Sequence, residues 1–140
     1  GVHALALPVG PGWGVLGAVI SCVREVAARQ VMPRCLKVAQ QRKSGGGLFT
    51  EADLAAQEAL SVALPKTYAG PIVAEEMTPE QQAEYWLAGA EGLWCVDPID
   101  GTSNFVNGLP YFAVSVALMI NGLSVLGVVY DPIADEAFYA

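Results

Sequence analysis

Charge is scarce in this 140-residue chain: Asp, Glu, Lys and Arg make up 15% of it, against about 25% in an ordinary soluble domain. Basic residues are the scarcer sign, 7 against 14 acids, which leaves a net charge of −7. Nonspecific nucleic-acid binding, which needs Lys and Arg to displace counterions, is thereby excluded. Histidine occurs once, at His3, so a histidine-rich zinc site or a Ser-His-Asp triad lacks material. Cys22, Cys35 and Cys95 are odd in number and form no C-x-x-C pair. That pattern argues against a disulfide framework and fits a reducing, cytoplasmic setting with packed, unreactive thiols. The uncharged opening from Val2 to Val23 is broken by Pro8, Pro11 and glycines at 10, 12, 14 and 17. It carries no basic n-region or cleavage signature and is read neither as a membrane segment nor as a signal peptide.

What remains is apolar. Hydrophobic residues make up 54% of the chain, leaving too little polar material to coat an isolated globule, so part of the surface is expected to meet further chain or a partner subunit. No internal repeat, low-complexity segment or linker divides the sequence. Leu16, Val19, Ile20, Val23, Ala27 and Val31 recur at helical spacing, predicting a core-facing helix from Trp13 to about Met32 that Pro33 ends or kinks. Thr50 followed three residues later by Asp53 reads as a cap box opening a second helix to about Leu64. Pro79 to Glu91 reads as a short polar helix or loop insertion. Phe112 to Ile120 and Val125 to Tyr130 read as strands joined at Asn121-Gly122, a strong hairpin signal, with a further strand from Glu136.

The densest chemistry lies in Asp97-Pro98-Ile99-Asp100-Gly101-Thr102. The apolar run Leu93-Trp94-Cys95-Val96 reads as a buried strand ending at the first acid. Pro98 fixes φ, Gly101 permits angles closed to other residues, and Thr102-Ser103-Asn104 offers caps for a short following helix. Such a helix start presents N–H groups to an anion. A strand, a turn and a capped helix would explain these six residues without chemistry, but two further acid groups follow ordered segments. Asp53 follows Thr50, and Glu75-Glu76 follows Pro71-Ile72-Val73-Ala74. Hard oxygen donors in this number suit Mg²⁺, which takes octahedral oxygen coordination and usually keeps waters. Lys43-Ser44-Gly45-Gly46-Gly47 lacks the G-x-x-x-x-G-K-[ST] order and reads as a flexible loop.

Three segments together carry a resemblance: Thr50-Glu51-Ala52-Asp53, Ala74-Glu75-Glu76, and the block from Trp94 to Pro110, continued by Phe112 to Ala117 and Gly127 to Pro132. The chain resembles the inositol monophosphatase family, within the wider group of Mg²⁺-dependent, lithium-sensitive phosphatases, from about Val31 onward. Asn107 stands where histidine or lysine is common. The resemblance implies a layered α/β (α+β) fold, with helices packed on a largely antiparallel sheet whose strand ends carry the acids. It implies that residues 1–140 are the N-terminal part of a single domain, the rest carrying another metal-binding Asp and most substrate-specifying residues.

The roles it implies are specific. Glu75, Asp97 and the carbonyl of Ile99 hold one Mg²⁺, and Asp97 bridges to a second that Asp100 also holds. Asp53 and Thr102 form the catalytic pair that positions and deprotonates the attacking water. Glu75, Gly101, Thr102 and Ser103 meet the substrate, with backbone N–H groups of Gly101 and Thr102 on its phosphate. Glu76 shapes the metal surroundings, and Lys43 closes a loop beside the site. The implied reaction is Mg²⁺-dependent hydrolysis of a small phosphomonoester, an inositol monophosphate or related sugar or polyol phosphate. The implied enzyme is homodimeric when full length, with no nucleic-acid or membrane partner. The alternatives are a related phosphatase acting on a nucleotide bisphosphate, histidinol phosphate or fructose bisphosphate, a non-catalytic metal- or phosphate-binding fragment, and an interaction module.

Overall fold

The computed structural model describes residues 3–5, 14–40, 45–74, 78–107, 109 and 111–140. In chain order these form β1 (His3–Leu5), α1 (Gly14–Val26), a π-helical turn (Ala27–Val31), α2 (Met32–Gln40), α3 (Gly45–Thr67), β2 (Ile72–Ala74), α4 (Pro79–Ala88), β3 (Leu93–Asp100), α5 (Thr102–Val106), β4 (Ala113–Ile120), β5 (Leu123–Asp131) and β6 (Glu136–Tyr139). The strands make one mixed sheet in the order β1-β6-β5-β4-β3-β2, with β2 parallel to β3 and every other pair antiparallel. The parallel pair needs a crossover, and α4 supplies it. The largely antiparallel sheet and the Asn121-Gly122 hairpin agree with the sequence reading. Both turn residues have positive φ, +53° and +79°, the primed geometry that matches strand twist.

One face of the sheet is closed by α1 and α3. Val19, Ile20, Val23, Val26, Ala27, Val31 and Cys35 are buried along the first helical rod, and Ala52, Ala56, Leu60 and Leu64 along the second. They meet Trp94, Val96, Val114, Val116, Leu118, Val128 and Tyr130 in one core. Trp94 is fully buried, and its indole N–H donates to the Tyr68 carbonyl at 2.9 Å, which satisfies the one polar atom of a large apolar side chain.

Three local expectations are corrected. Pro33 does not end the first helix, which runs on to Gln40. The π turn immediately precedes it, with the Met32 N–H donating to the Ala27 carbonyl. This wider turn absorbs the break in the ladder that the missing proline N–H imposes. It also keeps Ala27, Val31 and Cys35 in line, since steps of four in a 3.6-residue helix drift by about 40° each. Thr50 does not cap α3, because the helix already starts at Gly45, so a cap box cannot account for Asp53. For the same reason Gly45, Gly46 and Gly47 are the first turn of α3 and not a loop. Pro79–Ala88 is the helix expected there, closed by a full capping box between Thr78 and Gln81.

The second face of the sheet is open among the described residues. The register sets Val73, Cys95, Ala117 and Gly127 side by side in one row, and Asp97, Ser115, Val129 and Phe138 in the next. These residues line a hollow of about 650 Å³ with Trp86 of α4 also on its wall. Leu123, Val125 and Val129 are exposed, so β5 is apolar on both faces. An antiparallel strand with one solvated face normally alternates apolar and polar residues, and this one does not.

A polar clasp ties the helical layer to the far strands. Arg24 donates through Nε and Nη2 to the two carboxylate oxygens of Asp135, both at 2.9 Å, and the Tyr130 hydroxyl donates to Asp135 Oδ1 at 2.6 Å. Burial, then the bond to Asp135, pushes the Tyr130 hydroxyl up to about 12, while the bonds from Tyr130 and then Arg24 pull the Asp135 carboxyl below its ordinary value. The signs set a pH window. The Asp135 contribution is present above the unfolded carboxyl value and is lost as pH falls through the depressed folded one. The Tyr130 contribution is present below its unfolded value, near 10, and is lost as pH rises through about 12. Tyr130→Phe is expected to cost about 1 kcal/mol and to flatten the acid limb of stability; urea unfolding at pH 7 and below 4 checks this, and an unchanged midpoint at both would remove the clasp from the stability of the fold.

Candidate active site

Strand β3 does not stop at Asp97 as the sequence suggests. It continues through Pro98 and Ile99 to Asp100, with a register shift between the two acids. Asp97 pairs with Ser115 and Asp100 with Ala113, so β3 spends one residue more than β4 over the same stretch. This is a β-bulge, a position that tolerates proline because it is already outside the regular ladder. Its geometric effect is decisive for the two carboxylates. Residues three apart on a regular strand project to opposite faces. Here their partners, Ser115 and Ala113, are two apart on β4 and share a face, so the bulge places Asp97 and Asp100 at register positions on the same, open side. Pro98 and Ile99 are taken out of paired register and are buried, Asp97 is half-buried and Asp100 is exposed.

Gly101 turns the chain from the strand into α5. It holds φ +94°, and a Cβ there would lie 2.8 Å from the Tyr111 carbonyl oxygen and 3.2 Å from Phe112 Cα. Only glycine fits both the angle and the contact. Gly101 itself is the N-cap, with no side-chain capping bond, so the expected capping role of Thr102-Ser103-Asn104 is not realised. Thr102 and Ser103 are exposed in the first turn instead. Asn104 and Asn107 are used locally: Asn104 Nδ2 donates to the Tyr111 carbonyl at 2.7 Å, and Asn107 Nδ2 to the Ser103 carbonyl at 2.8 Å. Phe105 and Phe112 meet edge to face with centroids 5.3 Å apart.

Asp53 lies on α3, which packs against both β3 and α5. At 5% exposure it is the one buried charged or polar residue among the described residues. Thus the helix that carries Asp53 abuts the strand that carries Asp97 and Asp100 and the helix that Thr102 begins. The structure brings Asp97, Ile99, Asp100, Gly101, Thr102 and Ser103 into one strand-bulge-helix corner with the Asp53 helix against it. Lys43, Glu75 and Glu76 lie outside the described residues; β2 ends at Ala74, whose register partner is Val96, the residue before Asp97. Among the described residues no three His, Cys, Asp or Glu side chains form a metal-binding group, and the third carboxylate of the expected set is Glu75.

The donor chemistry of this corner fits a hard divalent cation. It offers carboxylate and carbonyl oxygens and no imidazole, a set suited to Mg²⁺. Cysteine does not compete: all three thiols are free, and burial raises each of them, Cys22 to about 11 with Glu25 adding to the shift. They are therefore protonated near neutrality and poor as ligands or nucleophiles. Sequence reasoning missed the Tyr111–Phe112 segment as a support for the corner. The only signal for it was the unusual density of small and amide residues from Gly101 to Asn107.

Comparison with known proteins identifies the family. The model of the inositol monophosphatase family matches residues 16–140. A protein named Nus factor SuhB from Pasteurella multocida is 41% identical over 100 residues, covering 70% of this chain and 35% of that protein. Inositol monophosphatase 2 of Solanum lycopersicum is 40% identical over 94 residues, covering 66% of this chain and 35% of that protein. Inositol monophosphatase II from Staphylococcus aureus has a solved structure similar to this one, with a TM-score of 0.70 at 28% identity over 90% of this chain and 44% of that chain. The chain thus spans about a third of the length of these curated relatives and under half of the solved one. By sequence and by fold, it belongs to the inositol monophosphatase family.

Proposed function

We propose that the protein to which this chain belongs hydrolyses a small phosphomonoester, an inositol monophosphate or a related sugar or polyol phosphate, with Mg²⁺. The observation that carries the reading is the bulge in β3, which sets Asp97 and Asp100 on one face of the sheet directly before the left-handed turn at Gly101. Glu75, Asp97, the Ile99 carbonyl and Asp100 would hold the metal. When bound, Mg²⁺ supplies the positive charge that offsets the phosphate oxygens and makes a nearby water more acidic. The chain's residues do the rest. Asp53, buried on α3, takes a proton from the attacking water, and the Thr102 hydroxyl orients that water for attack on phosphorus. The N–H groups of Gly101 and Thr102 and the Ser103 side chain face the phosphate. A bond forms between the water oxygen and phosphorus, the bond to the alcohol oxygen breaks, and the proton leaves with the alcohol. No phosphoenzyme is formed. Glu76 would support the metal surroundings, and Lys43 would close over the site.

Residues 1–140 are read as the N-terminal part of one domain, whose remainder covers the open face of the sheet and completes the substrate pocket. The exposed Val129 and the hollow beside Asp97 support this reading. A full-length homodimer in the cytoplasm fits the family and the reduced cysteines; no described helix is long and apolar enough to cross a membrane. A second reading, an interaction module that buries its apolar face on a partner, draws on the exposed Val129 and the apolar hollow beside it.

The full-length protein is expected to release phosphate from an inositol monophosphate only with Mg²⁺, and to be inhibited by lithium and by excess Ca²⁺, whose looser coordination misplaces the water. Equal rates with chelator and with Mg²⁺ would exclude the proposed chemistry and leave the partner-binding reading. In the same protein Asp97→Asn should weaken Mg²⁺ binding at least about tenfold and lower turnover with it. Thr102→Ala should leave Mg²⁺ binding close to normal while lowering kcat about a hundredfold. Calorimetry beside kinetics separates the two roles, and normal Mg²⁺ affinity in Asp97→Asn would take Asp97 out of the metal site. Residues 1–140 expressed alone should self-associate and fail to turn over; a soluble, active monomer would show that the open face and the chemistry need nothing further.

A further inference from the structure

We infer that Asn104 is a positioning residue for the corner formed by Asp100, Gly101 and Thr102, acting through the carbonyl of Tyr111; the inference rests on the functional reading above. That carbonyl oxygen is met from two sides. Asn104 Nδ2 donates to it at 2.7 Å, and the position where a Cβ of Gly101 would stand is 2.8 Å away. The Tyr111 peptide thus presses on the backbone of the left-handed residue whose φ, +94°, directs the chain from β3 into α5.

Two further bonds close the loop around this contact. The Leu109 N–H donates to the Asn104 carbonyl at 2.8 Å, and the Phe105 N–H to the Gly101 carbonyl at 3.1 Å. Asn104 therefore uses both its backbone carbonyl and its side-chain amide to hold Leu109 and Tyr111 against the corner. Leu109 and Tyr111 are exposed, and the anchoring apolar contact, Phe105 on Phe112, lies behind them in the core. Asp100 and Thr102 flank Gly101, so rotation of that one residue swings a carboxylate and a hydroxyl together. Asn104 acts on them through the Tyr111 carbonyl, and its part is to fix the angle between them. Misplacement of reacting groups by about 1 Å costs up to about a hundredfold in rate.

The test uses the full-length protein, inositol monophosphate as substrate and three variants. Asn104→Ala removes the amide, Asn104→Asp keeps the shape but replaces the donor with an acceptor facing a carbonyl, and Tyr130→Phe weakens the distant clasp as a control for lost stability. Both Asn104 variants are expected to lower kcat about tenfold or more with KM within about twofold, while Tyr130→Phe, at a comparable loss in thermal midpoint, keeps its kcat. An active parent whose Asn104→Ala and Asn104→Asp variants retain kcat within twofold would overturn this inference alone. So would a Tyr130→Phe variant that loses kcat as they do, since lost stability would then explain the effect. A parent without phosphomonoesterase activity would overturn the proposed function and this inference with it.

Discussion

One extra residue in β3 decides on which side of the sheet the two neighbouring acids of this chain stand. Two acids separated by Pro98-Ile99 would sit on opposite sides of a regular strand, and a metal ion cannot be shared across a sheet. The bulge between Asp97 and Asp100 removes that obstacle. It does so where proline costs least, outside paired register, and it delivers the chain into Gly101 at an angle that no other residue adopts beside the Tyr111 carbonyl. The corner is rigid because its neighbours are. Pro98 and Ile99 are buried beneath it, Phe105 and Phe112 lock behind it, and α3 closes the core side.

The sheet sets a second constraint. Its helical face is packed around Trp94, and its other face carries small side chains in the row from Cys95 through Ala117 to Gly127, flanked by Val129 and Phe138. Asp97 belongs to that second face. A carboxylate beside apolar surface is less well solvated than one on a polar surface, so a cation and a covering element there would each strengthen the other's hold.

Much of this arrangement was legible in the sequence because it follows from short-range rules. The period of four from Val19 to Val31 marked the buried face of the first helix, Asn-Gly marked the hairpin, and Gly101 after the two acids marked the turn from strand into helix. The departures have one cause in common: long-range packing overrode a local signal. Pro33 looked like a helix end or a kink, and the structure has neither a stop nor a regular ladder there: a π turn just before it carries the helix on and keeps Cys35 in the core. Thr50 looked like a cap, but α3 starts a turn earlier, so a capping box does not account for the buried Asp53 on a helix that packs against β3 and α5. Asp97 looked like a strand end because proline follows it, and only the pairing with β4 shows the strand continuing. The Asn104 bond to Tyr111 spans seven residues without any periodic pattern, so no reading by spacing could have found it.

Strand β1 pairs with β6, His3 lying opposite Tyr139. Among the described strands, the earliest in sequence is therefore placed only after the latest has been made. During synthesis β2 through β5 have neighbours available as soon as each hairpin or crossover closes, whereas His3–Leu5 must wait for residues more than a hundred positions downstream. Until then His3–Leu5 is a strand without a ladder, and the outer edge of β6, once formed, is an open template for any extended chain. The assembly order of the sheet thus makes the emergence of Glu136–Tyr139 the step that commits the edge, and sets the interval over which a nascent chain is most exposed to mispairing with another copy of itself.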